Sequence, residues 1–279
     1  MKTNNPLTVD NIVYLFNQEN YTSEQLMSTL QDDPNRFRLP DYNKVIKKLL
    51  DYFFIDYDTS KSYVAEPLLI GTTILVNEKI KYKWLENFSC IEFYALYPNI
   101  MSKLWKEGKA NFNIYEFGVM YNFFVENSKK IKSDPKISET GRMLFRFILN
   151  YTYGASLNHF SRSFISFDGV DKVPIYTKET FEHIMEQNPH NIFYLDCDEI
   201  YLDYVSPEVL SCIKSLGLPF TIENNINGMF MEKKKYIIQK GNIVRPRGLR
   251  SSFRSKYKLE KNRINKLQKI LNKINNASY

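Results

Sequence analysis

The stretch N-I-F-Y-L-D-C-D-E-I-Y-L, from Asn191 to Leu202, decides how this chain is read. Phe193, Tyr194 and Leu195 lead into a short polar break, and Ile200, Tyr201 and Leu202 lead out of it. β-Branched and aromatic residues on both sides of such a break predict a hairpin of two strands. Its tip is acidic, with Asp196, Asp198 and Glu199 inside one turn. Carboxylates this close repel and raise one another's pKa unless a cation is present. Oxygen ligation of a divalent ion removes that cost. A lone D-x-D is equally a solvated acidic turn, so the flanking sequence has to decide.

Working outward, Lys178 to Glu186 predicts a helix before the hairpin. Ser206-Pro207-Glu208 opens another, which continues through Val209, Ile213 and Leu216 to Gly217. Phe220–Ile222, Gly228–Met231 and Tyr236–Ile238 predict three strands beyond it. Far upstream, F-S-C-I-E-F-Y-A-L-Y-P-N-I-M (88–101) reads as a strand that delivers one carboxylate, Glu92, into apolar surroundings, followed by a turn or helix start at Pro98-Asn99. A buried carboxylate has to be paired, protonated or metal-bound. Residues 101–138 read as mostly helical, punctuated by Lys103, Lys106, Lys109, Lys129, Lys130 and Lys132. Ser138 and Thr140 then cap a helix from Gly141 towards Gly154. Its spacing sets Arg142, Arg146, Asn150 and Tyr153 on one face, a set suited to a phosphate chain and a planar base. Residues 157–175 read as strands or loops.

The first 66 residues predict a small helical unit. A helix runs from Val9 to Phe16, a second follows the cap at Thr22-Ser23, and a third opens at Pro40 with Val45, Ile46, Leu49, Leu50 and Phe53 on one face. Phe54–Tyr57 and Tyr63–Ala65 read as a hairpin, which would make the unit a winged helix. Leu68 to Val76 reads as a further strand.

The chain has 279 residues and a 43% apolar fraction, enough for a real core. No apolar run is long enough to span a membrane, and the N-terminus lacks a signal peptide's apolar core. Three cysteines, Cys90, Cys197 and Cys212, have neither metal-ligand spacing nor a disulfide framework, which points to a reducing, cytoplasmic setting. The charge is divided unevenly. From Lys233 to Tyr279 there are 15 Lys or Arg and one acid, net +14, while the preceding residues carry 23 basic and 30 acidic residues, net −7. Such a basic segment is the footprint of a polyanion partner, most often nucleic acid.

Four motifs in fixed order resemble family B DNA polymerases. E-F-Y-A-L-Y-P (92–98) is similar to motif A, R-F-I-L-N-Y-T-Y-G (146–154) to motif B, and Y-L-D-C-D-E (194–199) to motif C. Lys234 and Tyr236 match the K-x-Y motif that follows. The resemblance implies an α+β fold: a polymerase-type palm, an antiparallel sheet with helices, with small helical fingers, preceded by the helical, winged-helix-like unit. It divides the chain into that unit (1–66), a first palm segment with motif A (67–100), reduced fingers with motif B (101–158), a second palm segment with motif C (159–232), and a basic K-x-Y and rudimentary thumb segment (233–279). The implied activity is template-directed DNA synthesis, nucleotidyl transfer from a dNTP to a primer 3′ end with two metal ions, Mg²⁺ or Mn²⁺. Glu92 and Asp198 would be the shared catalytic ligands and Asp196 the neighbouring acid. Arg146 and Arg142 would meet the triphosphate, Asn150 and Tyr153 the nascent base pair, and Tyr97 the incoming sugar. Lys234, Tyr236, Arg245, Arg247, Arg250 and Arg254 would grip primer-template DNA.

The sequence departs from the family's motifs at Glu92 (Asp in motif A), Arg146 (Lys), Tyr151 (Ser), Cys197 (Thr) and Glu199 (Ser). Only 91 residues precede Glu92, too few for a proofreading exonuclease domain. The expected protein is therefore a minimal core, or one piece of a split enzyme with a partner subunit that completes the thumb or primes synthesis. Two other readings stand beside it: a non-catalytic, polymerase-derived nucleic-acid-binding protein or replication subunit, and an unrelated winged-helix DNA-binding protein. The residue usage fits a bacterial, phage, plasmid or mobile-element source.

Overall fold

The structure is a computed structural model. It describes residues 5–19, 39–58, 74–75, 77–157, 163–187, 191–196, 198–232 and 235–247. The chain divides into two units, Met1–Leu69 with Tyr97–Ile175, and Ile70–Leu96 with Tyr176–Tyr279.

The first unit is helical. Helix α1 (Val9–Asn17) starts where the Thr8 hydroxyl accepts from the Asn11 N–H, and it buries Ile12, Val13 and Phe16. Helix α2 (Leu39–Tyr52) buries Val45, Ile46, Leu49 and Leu50, the face its spacing predicts. The predicted strand Phe54–Tyr57 does not form. Phe54 turns through a positive φ of 54°, and Ile55 N–H closes back on Leu50 O, so this stretch is the helix's own C-terminal turn. The predicted second helix (22–30) and second hairpin strand (63–65) lie outside the described residues.

Helices α3 (Leu96–Lys106), α4 (Tyr115–Ser133) and α5 (Glu139–Leu157) follow. The expected long helical run over 101–138 is thus two helices. Asp134 and Pro135 end α4, and the Ser138 hydroxyl caps α5 by accepting from Gly141 N–H at 2.9 Å. Asn17 locks α1 to this turn, donating to Lys136 O and accepting from Ser138 N–H, both at 2.8 Å. Phe16 packs edge-on against Phe124 of α4 and Phe145 of α5. Helix α6 starts at Lys172 and runs to Gln187, six residues earlier than predicted, because Pro174 is tolerated in a first helical turn.

Among the described residues, the second unit is built on a seven-stranded antiparallel sheet: β1 (Ile74–Leu75), β2 (Trp84–Phe93), β3 (Ile192–Asp196), β4 (Glu199–Leu202), β5 (Phe220–Glu232), β6 (Lys235–Lys240) and β7 (Ile243–Arg247), in the order β1-β3-β4-β2-β5-β6-β7. Of the predicted strand over 68–76, only β1 falls among the described residues. The two strands expected over 220–231 are one. Between them E-N-N-I-N-G does not break the strand, because Asn225 takes a positive φ of 57° and the β2–β5 register shifts nearby. Gly228 continues the strand where a Cβ would stand 2.5 Å from Ile237 O on β6. Helix α7 (Pro207–Ser215) is capped by Ser206 and buries Val209, Cys212 and Ile213.

This sheet is strongly curled. Tyr194 on β3 and Tyr236 on β6 are four places apart in the strand order, on the order of 19 Å across a flat sheet. Their ring centroids are 5.3 Å apart. Tyr194 also stacks on Phe230 of β5 at 4.9 Å. Strands β3 and β6 therefore approach each other over β4, β2 and β5. The inside of the curl is filled by Phe88, Cys90, Tyr194, Tyr201, Ile226, Phe230, Tyr236 and Ile238. On the other face Phe93 meets Phe181 of α6.

Candidate active site

Asp196 ends β3 and Glu199 begins β4, and the two are direct cross-strand partners. Between them Asp198 N–H reaches back to Asp196 O at 2.6 Å, which makes the turn tight. Glu199 is also the direct partner of Glu92 on β2, and Glu92 in turn faces Thr221 on β5. Direct partners in an antiparallel pair share a face. Asp196, Glu199 and Glu92 thus leave three adjacent strands on one side, two residues beyond Tyr194, Tyr201 and Cys90 of the curled interior. The Phe93 N–H donates to Asp198 O at 2.8 Å, which fastens the turn beside the end of β2. The structure therefore brings together the three carboxylates expected from motifs A and C, and adds a fourth.

The electrostatics follow from that crowding. Burial, then the charges of Glu199 and Glu92 and, more weakly, Asp196, push the Asp198 carboxyl up from 3.8 to about 6, against a smaller opposing pull from a backbone hydrogen bond.

Glu199 has two hydroxyl partners. Tyr201 Oη donates to its Oε2 at 2.5 Å, and Tyr236 Oη lies 2.9 Å from the same oxygen. Tyr236 Oη also lies 2.9 Å from Asp196 Oδ2, so its single proton serves two carboxylates. Burial is the main cause that pushes both phenols far up, so both stay protonated donors. Tyr236, expected at a primer end, is only 1% exposed, and the curl turns its hydroxyl onto the acidic cluster. Glu199 was legible as one of the acidic tip's carboxylates and as a departure from motif C, but not as the partner of Glu92 and Asp196. The signal that marks its partnership is the two-residue turn, which makes residues 196 and 199 face each other.

The residues expected at the nucleotide all belong to the first unit. Arg146 and Asn150 are exposed on α5. Arg142 is half-buried and committed, its Nε donating to Lys132 O at 2.8 Å and its guanidinium to Glu139 Oε2 at 2.6 Å. Tyr153 lies against Tyr97, ring centroids 4.7 Å apart, and burial pushes its phenol up. Lys132, read from the sequence as one helix lysine among several, is half-buried. Desolvation first, and then the Arg146 charge, lower its ammonium to about 8. Of the expected DNA-binding residues, Arg245 is exposed on β7 and Arg247 ends that strand. Lys234, Arg250 and Arg254 lie outside the described residues, as does most of the basic segment.

An all-oxygen donor set of crowded carboxylates suits a hard divalent cation, which would relieve the repulsion at Asp198. As the side chains stand, no three His, Cys, Asp or Glu among the described residues converge on one ion. Glu92 and Asp198 are the donors not held by the tyrosine hydroxyls. Among the described residues, no helix is long and apolar enough to cross a membrane.

No protein-family model and no curated protein matches the chain. Among solved structures it is similar to phi29 DNA polymerase complexed with single-stranded DNA, with a TM-score of 0.50 and 12% identity, covering 89% of this chain and 72% of that one. The same polymerase complexed with primer-template DNA, a post-translocation binary complex, aligns with a TM-score of 0.48 and 12% identity over 89% of this chain and 72% of that chain. At this identity the likeness to the first structure is one of fold: an α+β, polymerase-like architecture.

Proposed function

We propose that this chain is a template-directed DNA polymerase that transfers a nucleotide from a dNTP to a primer 3′ end. The observation that carries the proposal is the meeting of motifs A and C: the Phe93 N–H bonds the Asp198 carbonyl, so the carboxylates of Glu92 and Asp198 come from neighbouring, mutually fixed backbone. The polymerase-like fold supports the same reading.

In this reading Glu92 and Asp198 hold the cations, and Asp196 is the supporting acid. Two Mg²⁺ or Mn²⁺ ions, when bound, supply positive charge to the transferring phosphoryl group. Arg146 contacts the triphosphate, where a guanidinium gives bidentate phosphate binding. Asn150 and Tyr153 meet the nascent base pair, and Tyr97 the sugar. Arg142, tied to Glu139 and the end of α4, braces α5 rather than reaching for a ligand. The basic segment after Lys233 adds salt-sensitive affinity for DNA phosphates.

Two observations favour a second reading, a polymerase-derived DNA-binding protein or replication subunit without catalysis. Glu199 is already satisfied by two hydroxyls, and no three carboxylates close on one point among the described residues. Primer extension on a primed DNA template with dNTPs and Mg²⁺ or Mn²⁺, beside Asp198→Ala, separates the two. Extension by the wild type that disappears in the variant supports catalysis at this site. Retained DNA binding with no extension in either metal supports the subunit.

A further inference from the structure

Glu199 is the middle carboxylate of three. Its direct cross-strand partners are Glu92 on one side and Asp196 on the other. Like charges placed directly opposite destabilise a sheet, and an untethered Glu199 would press on both. Its Oε2 is instead taken by Tyr201 Oη at 2.5 Å and approached by Tyr236 Oη at 2.9 Å. Tyr236 comes from β6 and is brought here by the curl of the sheet. It also reaches Asp196 Oδ2, so one hydroxyl bridges the first and middle carboxylates. Both rings belong to the aromatic interior, which fixes where their hydroxyls point.

We propose that Glu199 is a positioning residue: pinned by Tyr201 and Tyr236, it sets through the Tyr236 hydroxyl where the Asp196 carboxylate sits, and holds its own charge away from Glu92. The inference rests on reading these carboxylates as cation ligands. Outer partners that orient a ligating carboxylate control how well the site takes its ion, although they never touch it. On this view the glutamate at position 199 and the buried Tyr236 act as one unit.

The test uses the full chain and Mn²⁺ alone, without nucleic acid or nucleotide. Mn²⁺ binding is followed by electron paramagnetic resonance of the free ion for wild type, Tyr236→Phe and Glu199→Gln. Tyr42→Phe serves as a control, because it removes a buried hydroxyl bond to Thr152 in the other unit. Single-nucleotide extension is measured in parallel, with kcat and the KM for dNTP separated. Tyr236→Phe keeps the ring and loses only the hydroxyl, and is expected to weaken Mn²⁺ binding about 10-fold and lower kcat by a similar factor, with KM little changed. Glu199→Gln is expected to follow it, and Tyr42→Phe to bind Mn²⁺ as wild type does. Wild-type Mn²⁺ affinity in both Tyr236→Phe and Glu199→Gln overturns the inference, whether or not the chain extends primers. Weakened Mn²⁺ binding in those variants, with no extension by the wild type, upholds the positioning role and removes the polymerase reading. A wild type that binds no Mn²⁺ overturns both.

Discussion

Asp198 shows what the acidic turn costs the fold. Its carboxyl titrates at about 6 in the folded chain against an ordinary 3.8, so the folded state gains from holding that proton. This contribution is fully present below about pH 4 and is lost as pH rises through about 6. Asp198→Asn, which carries no charge, is therefore expected to be more stable than wild type at pH 8 by about 2 kcal/mol, after a discount for partial exposure. Near pH 4 the two should melt together. Thermal unfolding in metal-free buffer at both values checks this, and a variant that melts lower than wild type at pH 8 would refute the crowding argument. On the proposed function the same variant should also lose primer extension. At this scale much of the site was legible in the sequence. Glu92, Asp196 and Asp198 are marked by apolar flanks and spacing. Glu199 stands in the acidic tip as well, but its pairing role was not legible, because that comes from register, the pairing of 199 with both 92 and 196. Tyr236 was legible as a K-x-Y residue, but its place against the carboxylates was not, because K-K-K-Y is locally polar, and the burial of the tyrosine depends on strands far away in sequence.

Among the elements, β5 joins β2 to β6 in the sheet. Gly228 lets β5 and β6 approach where any side chain would meet a backbone oxygen, 2.5 Å from a built Cβ, with Ile238 Cδ1 at 3.0 Å. Gly228→Ala is expected to lower unfolding stability by about 2 kcal/mol or more, as overpacking against unyielding backbone does. Urea denaturation measures it, and an unchanged midpoint would mean that the two strands separate without cost. The helices were the legible portion of the fold. The face of α2, the cap of α5 at Ser138 and the start of α7 at Ser206 are local signals, and they hold. Errors arose where tertiary pairing overrides local punctuation. The Asn-rich stretch before Gly228 reads as a turn but is carried through as strand by β2 and β6. Phe54–Tyr57 has strand composition but ends a helix, and no described strand pairs with it. The curl itself leaves no pattern in the sequence.

For the whole molecule, charge and chain order matter most. The net +14 from Lys233 onward against −7 before it predicts that DNA affinity resides in the C-terminal segment and is screened by salt. Replacing Lys256, Lys258, Lys261 and Lys266 by Gln should flatten the dependence of log K on log salt by up to about 0.9 for each phosphate that is no longer neutralised. Fluorescence anisotropy with a primer-template between about 50 and 200 mM salt, the range over which such neutralisation shows, measures it, and an unaltered slope would assign the affinity elsewhere. Chain order has another consequence. Glu92 on β2 pairs with Glu199 and Thr221, so a whole helical segment is synthesised between this strand and its neighbours. At about 5–20 residues per second on the ribosome, β2 waits on the order of ten seconds with both edges bare. During that interval Phe88, Cys90, Ile91 and Phe93, all buried in the finished sheet, are open to any other nascent strand. The long detour that makes room for the helices thus leaves a newly made chain prone to aggregation. Soluble yield should rise when chaperones are abundant during synthesis, because they cover the waiting strand.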